Sequence, residues 1–138
     1  GAEVAVRSVT ERPWPSGAQF RVLAVIRPYM PVPSGFAAGV TPPETYAAES
    51  SVLAEHARDW SERAADTLQR AGLSAEALVR YGDPRSEIVD EASSSSADLV
   101  VVGSHGRTGL KRLLMGSVAE SVVRHAPCSV EVVREKAP

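Results

Sequence analysis

DLVVVGSHG, at residues 98–106, sets an uninterrupted apolar run directly before a glycine turn, and Gly116-Ser117 follows once Arg107 to Met115 have passed. A run without polar alternation fits a strand covered by helices on both faces, as in parallel sheets. The stretch Phe20 to Ile26 (FRVLAVI) has the same character, so both are expected to be central, parallel strands. Ala77 to Tyr81 and Ser129 to Val133 alternate in part, which suits strands nearer a sheet edge.

Helical patterns separate these strands. Thr41-Pro42-Pro43-Glu44 offers a capping box, and Leu53, Ala57, Trp60, Ala64, Leu68 and Ala71 then recur at helical spacing up to Gly72. A shorter helix is expected from Asp83-Pro84, with Ile88, Val89 and Ala92 on one side, fraying into Ser93 to Ser96. A last helix starts at Ser117, where Glu120 completes a second capping box. Val118, Ala119, Val122, Val123 and Ala126 form its apolar face before Pro127. Strands alternating with helices predict an α/β fold: a doubly wound, open parallel sheet with right-handed crossovers.

The chain has 138 residues, 43% of them hydrophobic, which fits one domain spanning residues 1–138. Its net charge of −2 comes from 15 basic and 17 acidic residues that are mixed along the sequence. Wholesale attraction to nucleic acid or an anionic membrane is therefore not expected. Cys128 is the single cysteine, so no internal disulfide can form. No apolar run reaches the roughly 18 residues of a membrane span, and no signal-peptide pattern opens the sequence, so a cytoplasmic protein is expected.

The chemistry is expected in the segment from Gly103 to Ser117. Glycines at Gly103, Gly106 and Gly116 let backbone amides approach phosphate oxygens, and a helix start at Ser117 adds a hydroxyl and exposed N–H groups. Arg107, Lys111 and Arg112 lie in the same segment, which contains no acidic residue. Glycines after a strand also serve plain tight turns; it is their combination with a capped helix that favours phosphate. The spacing is neither the dinucleotide GxGxxG nor the GxxxxGK[ST] loop.

G-x2-G-x9-G-[ST] after VVVGSHG resembles the ATP-binding signature of the universal stress protein family, and the likeness extends over nearly the whole chain. The resemblance implies an adenine nucleotide alpha hydrolase-like fold. ATP with Mg2+ would be the ligand. Gly103, His105 and Gly106 would lie along the phosphates and ribose, Gly116, Ser117 and Val118 would close over the phosphates, and Val25 and Val102 would flank the nucleoside. It also implies a homodimer through the last strand, Cys128 to Val133, and a nucleotide-dependent stress-response regulator. The family has a first strand that ends in an acidic residue. Here Gly1-Ala2-Glu3-Val4 resembles the helix after that strand, so the central position would be left as a gap, closed by direct pairing, or filled by a segment or partner outside this sequence.

Other groupings point less far. His105 has no carboxylate or cysteine partner nearby, and Ser104, His105 and Asp98 make no nucleophile elbow. No catalytic residue is assigned. His56 and His125 lack ligand spacing, and Asp83 and Glu87 suit a helix start. Trp60 reads as core and Trp14 as a loop anchor, while the proline-bearing stretch from Tyr29 to Gly39 could form a lid. Two alternatives to the regulator stand: a slow ATP hydrolase or nucleotidyl-transfer enzyme, and a scaffold dimer without nucleotide.

Overall fold

The computed structural model describes residues 1–28, 43–104 and 115–135, and the backbone alone for 43–50. The elements are α1 (Ala2–Thr10), β1 (Gln19–Ile26), α2 (Pro43–Arg70), β2 (Ser74–Tyr81), α3 (Pro84–Ser94), β3 (Leu99–Gly103), α4 (Ser117–His125) and β4 (Ser129–Val133). The expected alternation is present, and α1 stands where Gly1 to Val4 resembled a helix. Thr41 and Pro42, the proposed opening of the α2 capping box, lie outside the described residues, as does the segment 29–39.

All pairing among the described strands is parallel, but it falls into two separate ladders. β1 pairs with β2 from Gln19↔Ser74 to Ile26↔Tyr81, and β3 pairs with β4 from Leu99↔Ser129 to Gly103↔Val133. β1 and β3 share no ladder. Direct pairing of these two most apolar strands is therefore not found among the described residues.

Side-chain parity shows how helices cover both faces. Val22 lies in a buried cluster with Val9 of α1 and Ala64, Ala65 and Leu68 of α2. Its neighbour Arg21 points the other way and bonds Glu91 of α3. Consecutive strand residues face opposite sides, so α1 and α2 form one layer. α3, in contact with α4, forms the other. Val101 of β3 packs against the same cluster as Val22, and the two ladders therefore share one core.

The caps explain where the helices stop. Gly72 has φ +87, and the N–H groups of Leu73 and Gly72 donate to the carbonyls of Leu68 and Gln69, closing α2 with a Schellman turn. Asp83 caps α3 by accepting from the Arg85 amide at 2.9 Å, with Pro84 in the first position. The Arg85 guanidinium beside it holds the Asp83 carboxyl down at about 2. The expected α2 stripe is corrected at both ends, because Leu53 and Ala71 are exposed; Ser61 and Ala65 take buried places instead. On α4 only Ala119 and Val122 are buried, and Val123 is 45% exposed.

Trp14 is the anchor expected of it. Its indole N–H donates to the Val9 carbonyl at 2.8 Å, its ring meets Phe20 edge-on, and the Arg12 guanidinium stacks on it at 4.5 Å. Arg12 Nη2 also reaches Glu131 of β4 at 2.8 Å. The link between α1 and β1 is thus tied to the second ladder.

Glu91 is buried between Arg21 Nη1 at 2.5 Å and Arg80 Nη2 at 3.1 Å, joining α3 to β1 and β2. Burial pushes its carboxyl pKa up, but hydrogen bonds from Arg80 and Arg21 outweigh this and hold it below the ordinary 4.5. A lowered carboxylate pKa stabilises the fold above the unfolded value, and the gain is lost as pH falls through the folded value. Glu91→Gln is expected to cost about 1–3 kcal/mol at neutral pH. In urea titrations across pH, the gap between wild type and variant should narrow below the ordinary carboxylate value; a gap constant down to strong acid would contradict the ion-pair assignment.

Candidate functional site at the end of β3

β3 runs out at Gly103, and the chain is held there by backbone bonds. The Ser104 N–H donates to the Val133 carbonyl at 2.9 Å, and the Ser104 carbonyl accepts from the Gly116 N–H at 2.6 Å. The second bond brings the start of α4 back to the strand end. Ser104 is buried by this closure. Gly116 is the N-cap in extended backbone (φ −61, ψ 156), and α4 starts with Ser117. Ser117 is therefore the first helical residue, not the cap, and no side chain caps the helix. Its expected box with Glu120 is not formed; Glu120 pairs with Arg124 at 2.9 Å instead.

The first-turn N–H groups of a helix have no intrahelical acceptors and carry a partial positive charge of about half a unit. Those of α4 open at the end of β3, beside Gly116 and the exposed Ser117. A second helix starts at the same place. An added Cβ on Gly103 would lie 2.5 Å from the Gly1 carbonyl oxygen and 2.7 Å from its carbon, so the N-terminus of α1 is packed against this glycine. Gly103 is needed for that contact. Its missing side chain leaves room for the Gly1 backbone.

Of the expected site residues, Val102, Gly103, Gly116, Ser117 and Val118 are gathered around one strand end. His105 and Gly106 lie outside the described residues, as do Arg107, Lys111 and Arg112. Val25 is on β1 in the other ladder, paired with Arg80. By parity it shares the α3 face with its neighbour-but-three Arg21, opposite Val22. Val102 falls on that same face, because Val101 points to the α1 and α2 side. Both valines are half-buried. A groove of about 430 Å³ between Trp14 to Gln19 and Gly72 to Ser74 lies at the opposite end of the strands. Among the described residues no cluster of His, Cys, Asp and Glu fits a metal, and no helix is long and apolar enough to cross a membrane. Sequence reading missed the Arg21, Arg80 and Glu91 cluster; two arginines inside strands were its one visible signal.

A family model described as the universal stress protein family matches residues 2–134. Universal stress protein MJ0531 of Methanocaldococcus jannaschii is 37% identical over 86 residues, covering 62% of this chain and 51% of that protein. Universal stress protein MJ0577 of the same organism is 36% identical over 84 residues, covering 61% of this chain and 52% of that protein. The chain thus spans about half the length of the curated relatives it matches. The solved structure of hypothetical protein MJ0577 matches with a TM-score of 0.81 at 27% identity, over 99% of this chain and 89% of that one. The universal stress protein from Archaeoglobus fulgidus, solved in complex with dAMP, shares the fold with a TM-score of 0.62 at 22% identity, over 95% and 86% of the two chains.

The contact behind Gly103 makes its replacement costly whatever binds there. Gly103→Ala is expected to push the start of α1 from β3 and to cost about 1–3 kcal/mol, the range for overpacking. Chemical denaturation with amide exchange on α1 checks this; unchanged stability and unchanged α1 protection would refute the close packing.

Proposed function

The chain belongs to the universal stress protein family, and from that premise we propose that it binds an adenine nucleotide, ATP with Mg2+, at the end of β3. The observation that carries the reading is the Gly116 to Ser104 bond, which fixes the open N-terminus of α4 beside the strand end. Phosphates sit there on backbone N–H groups and the Ser117 hydroxyl. Gly116, Ser117 and Val118 close over them, while Gly103, His105 and Gly106 line the phosphates and ribose. Val25 and Val102, on one face of the two ladders, flank the nucleoside. A family member of the same fold solved with dAMP supports an adenine base.

In this reading the protein is a cytoplasmic regulator in the stress response and not an efficient enzyme. Nucleotide occupancy acts through contacts between copies that meet along β4, from Cys128 to Val133. The outer edge of β4 has no ladder partner among the described residues, which leaves it able to pair.

Calorimetric titration with ATP and magnesium tests the proposal, and saturable binding is expected. Gly116 has backbone angles open to any residue, so Gly116→Val keeps the turn and obstructs the anion. It should weaken ATP binding about tenfold or more, equivalent to about 1.4 kcal/mol. Wild-type protein that binds no nucleotide, or a variant with full affinity, would sink the phosphate site. A magnesium-dependent turnover above the buffer rate would replace the regulator with a hydrolase.

A further inference from the structure

β2 is a rim strand. One edge pairs with β1 along its whole length from Ser74 to Tyr81, and the outer edge has no ladder partner among the described residues. The strand that the family resemblance places before α1 belongs on the far side of β1, so it does not reach this edge. Rim strands that stay unpaired are ordinarily short, or carry lysine, proline or a bulge. β2 has 8 residues, none of them lysine, proline or glycine, and its register is unbroken.

The direction of the outer backbone groups follows from one bond. The Gly82 N–H donates to the Ile26 carbonyl of β1 at 2.9 Å. Tyr81 therefore turns its own N–H and C=O outward, and by alternation so do Val79, Ala77 and Ala75. The side chains divide by the same parity. Ala75 and Ala77 pack toward the α2 core, whereas Glu76 and Arg80 bond Arg21 and Glu91 on the α3 face, with Leu78 between them. Tyr81, at the strand end, is 56% exposed.

Two identical antiparallel strands related by a two-fold axis keep each face of the sheet on its own side, so one residue must lie at the centre of the pairing. Centring on Glu76 or on Arg80 sets like charges opposite each other. Centring on Ala77 or Val79 sets a charge opposite Leu78. Centring on Leu78 alone sets Glu76 opposite Arg80 of the second copy, and does so twice. Leu78 then faces itself, Ala77 faces Val79 and Ala75 faces Tyr81, so each small side chain meets a larger one. The outward N–H and C=O groups of 75, 77, 79 and 81 also fall opposite one another, as a ladder needs. Both charged groups have capacity left. Glu76 accepts from Arg21 through Oε1, and Arg80 donates to Glu91 through Nη2, which leaves a carboxylate oxygen and further N–H groups to meet.

We propose that β2 is an interface between copies of this chain, pairing antiparallel with β2 of a second copy in the register centred on Leu78. The contact is independent of the nucleotide site and of the β4 edge, which lies at the other rim.

A thiol placed at the centre reads this register. In a Cys128→Ser background, Leu78→Cys sets two thiols at a non-hydrogen-bonded pair with Cα atoms about 4.5 Å apart, within disulfide range. With oxidised glutathione it is expected to give a covalent dimer on non-reducing gels about tenfold faster or more than Ser74→Cys, whose two copies sit at opposite ends of the pairing. Adding Glu76→Lys puts a cation opposite Arg80 and should slow the Leu78→Cys cross-link about tenfold or more. Equal rates at 74 and 78 would mean random collision and overturn the proposal, as would a rate that Glu76→Lys leaves unchanged. Sedimentation of the chain with its native Leu78 gives a second reading that does not depend on the cysteine variant. Glu76 is exposed, and Glu76→Lys should weaken self-association about tenfold or more. A chain that stays monomeric, or an association constant that does not change, would refute the β2 contact.

Discussion

The fold depends on one core shared by two sheets that do not touch through hydrogen bonds. In an ordinary doubly wound domain the ladder itself fixes the spacing of adjacent strands at about 4.8 Å. Between β1 and β3 that constraint is absent. Spacing is left to the helices and to a few side chains that cross from one half to the other. Val101 reaches the Val22 cluster, and Arg12 holds Glu131 from the loop that also carries Trp14. These are few contacts, and the Arg12 pair is partly exposed, where ion pairs contribute about 0–1 kcal/mol.

The remaining architecture compensates within each half. β1 and β2 are clamped on one face by α2 and on the other by the Glu91 bridge, which uses one arginine from each strand. Neutralising a buried carboxylate with two half-exposed guanidiniums avoids the full cost of a buried pair, since the cations keep part of their hydration. β3 and β4 are held by α4 and α1 and by the backbone closure at Ser104. Each half is thus specified by its own contacts.

That division explains what could be read from the sequence. Strand positions, the Asp83-Pro84 start and the Gly72 stop were legible because each is decided by a few contiguous residues. The α2 stripe was misjudged at Leu53 and Ala71 because helical periodicity says which residues share a face, not how far the sheet beneath it extends. Ser117 was misplaced by one position, since Gly116 can serve as cap once the Ser104 carbonyl fixes its amide. Glu91 was invisible for a different reason. Its burial depends on Arg21 and Arg80, which are distant in sequence and meet only after β1 and β2 pair.

The same logic separates the two halves of the proposed nucleotide site. A phosphate subsite needs only backbone N–H groups and a helix start, and Gly103 to Ser117 can supply these from one continuous stretch. A nucleoside subsite needs side chains from both ladders. Val25 and Val102 are on the same face, but they stand on two strands that belong to different ladders. Phosphate affinity should thus be a local property of the α4 turn, whereas selectivity for the base should be a property of the assembled sheet.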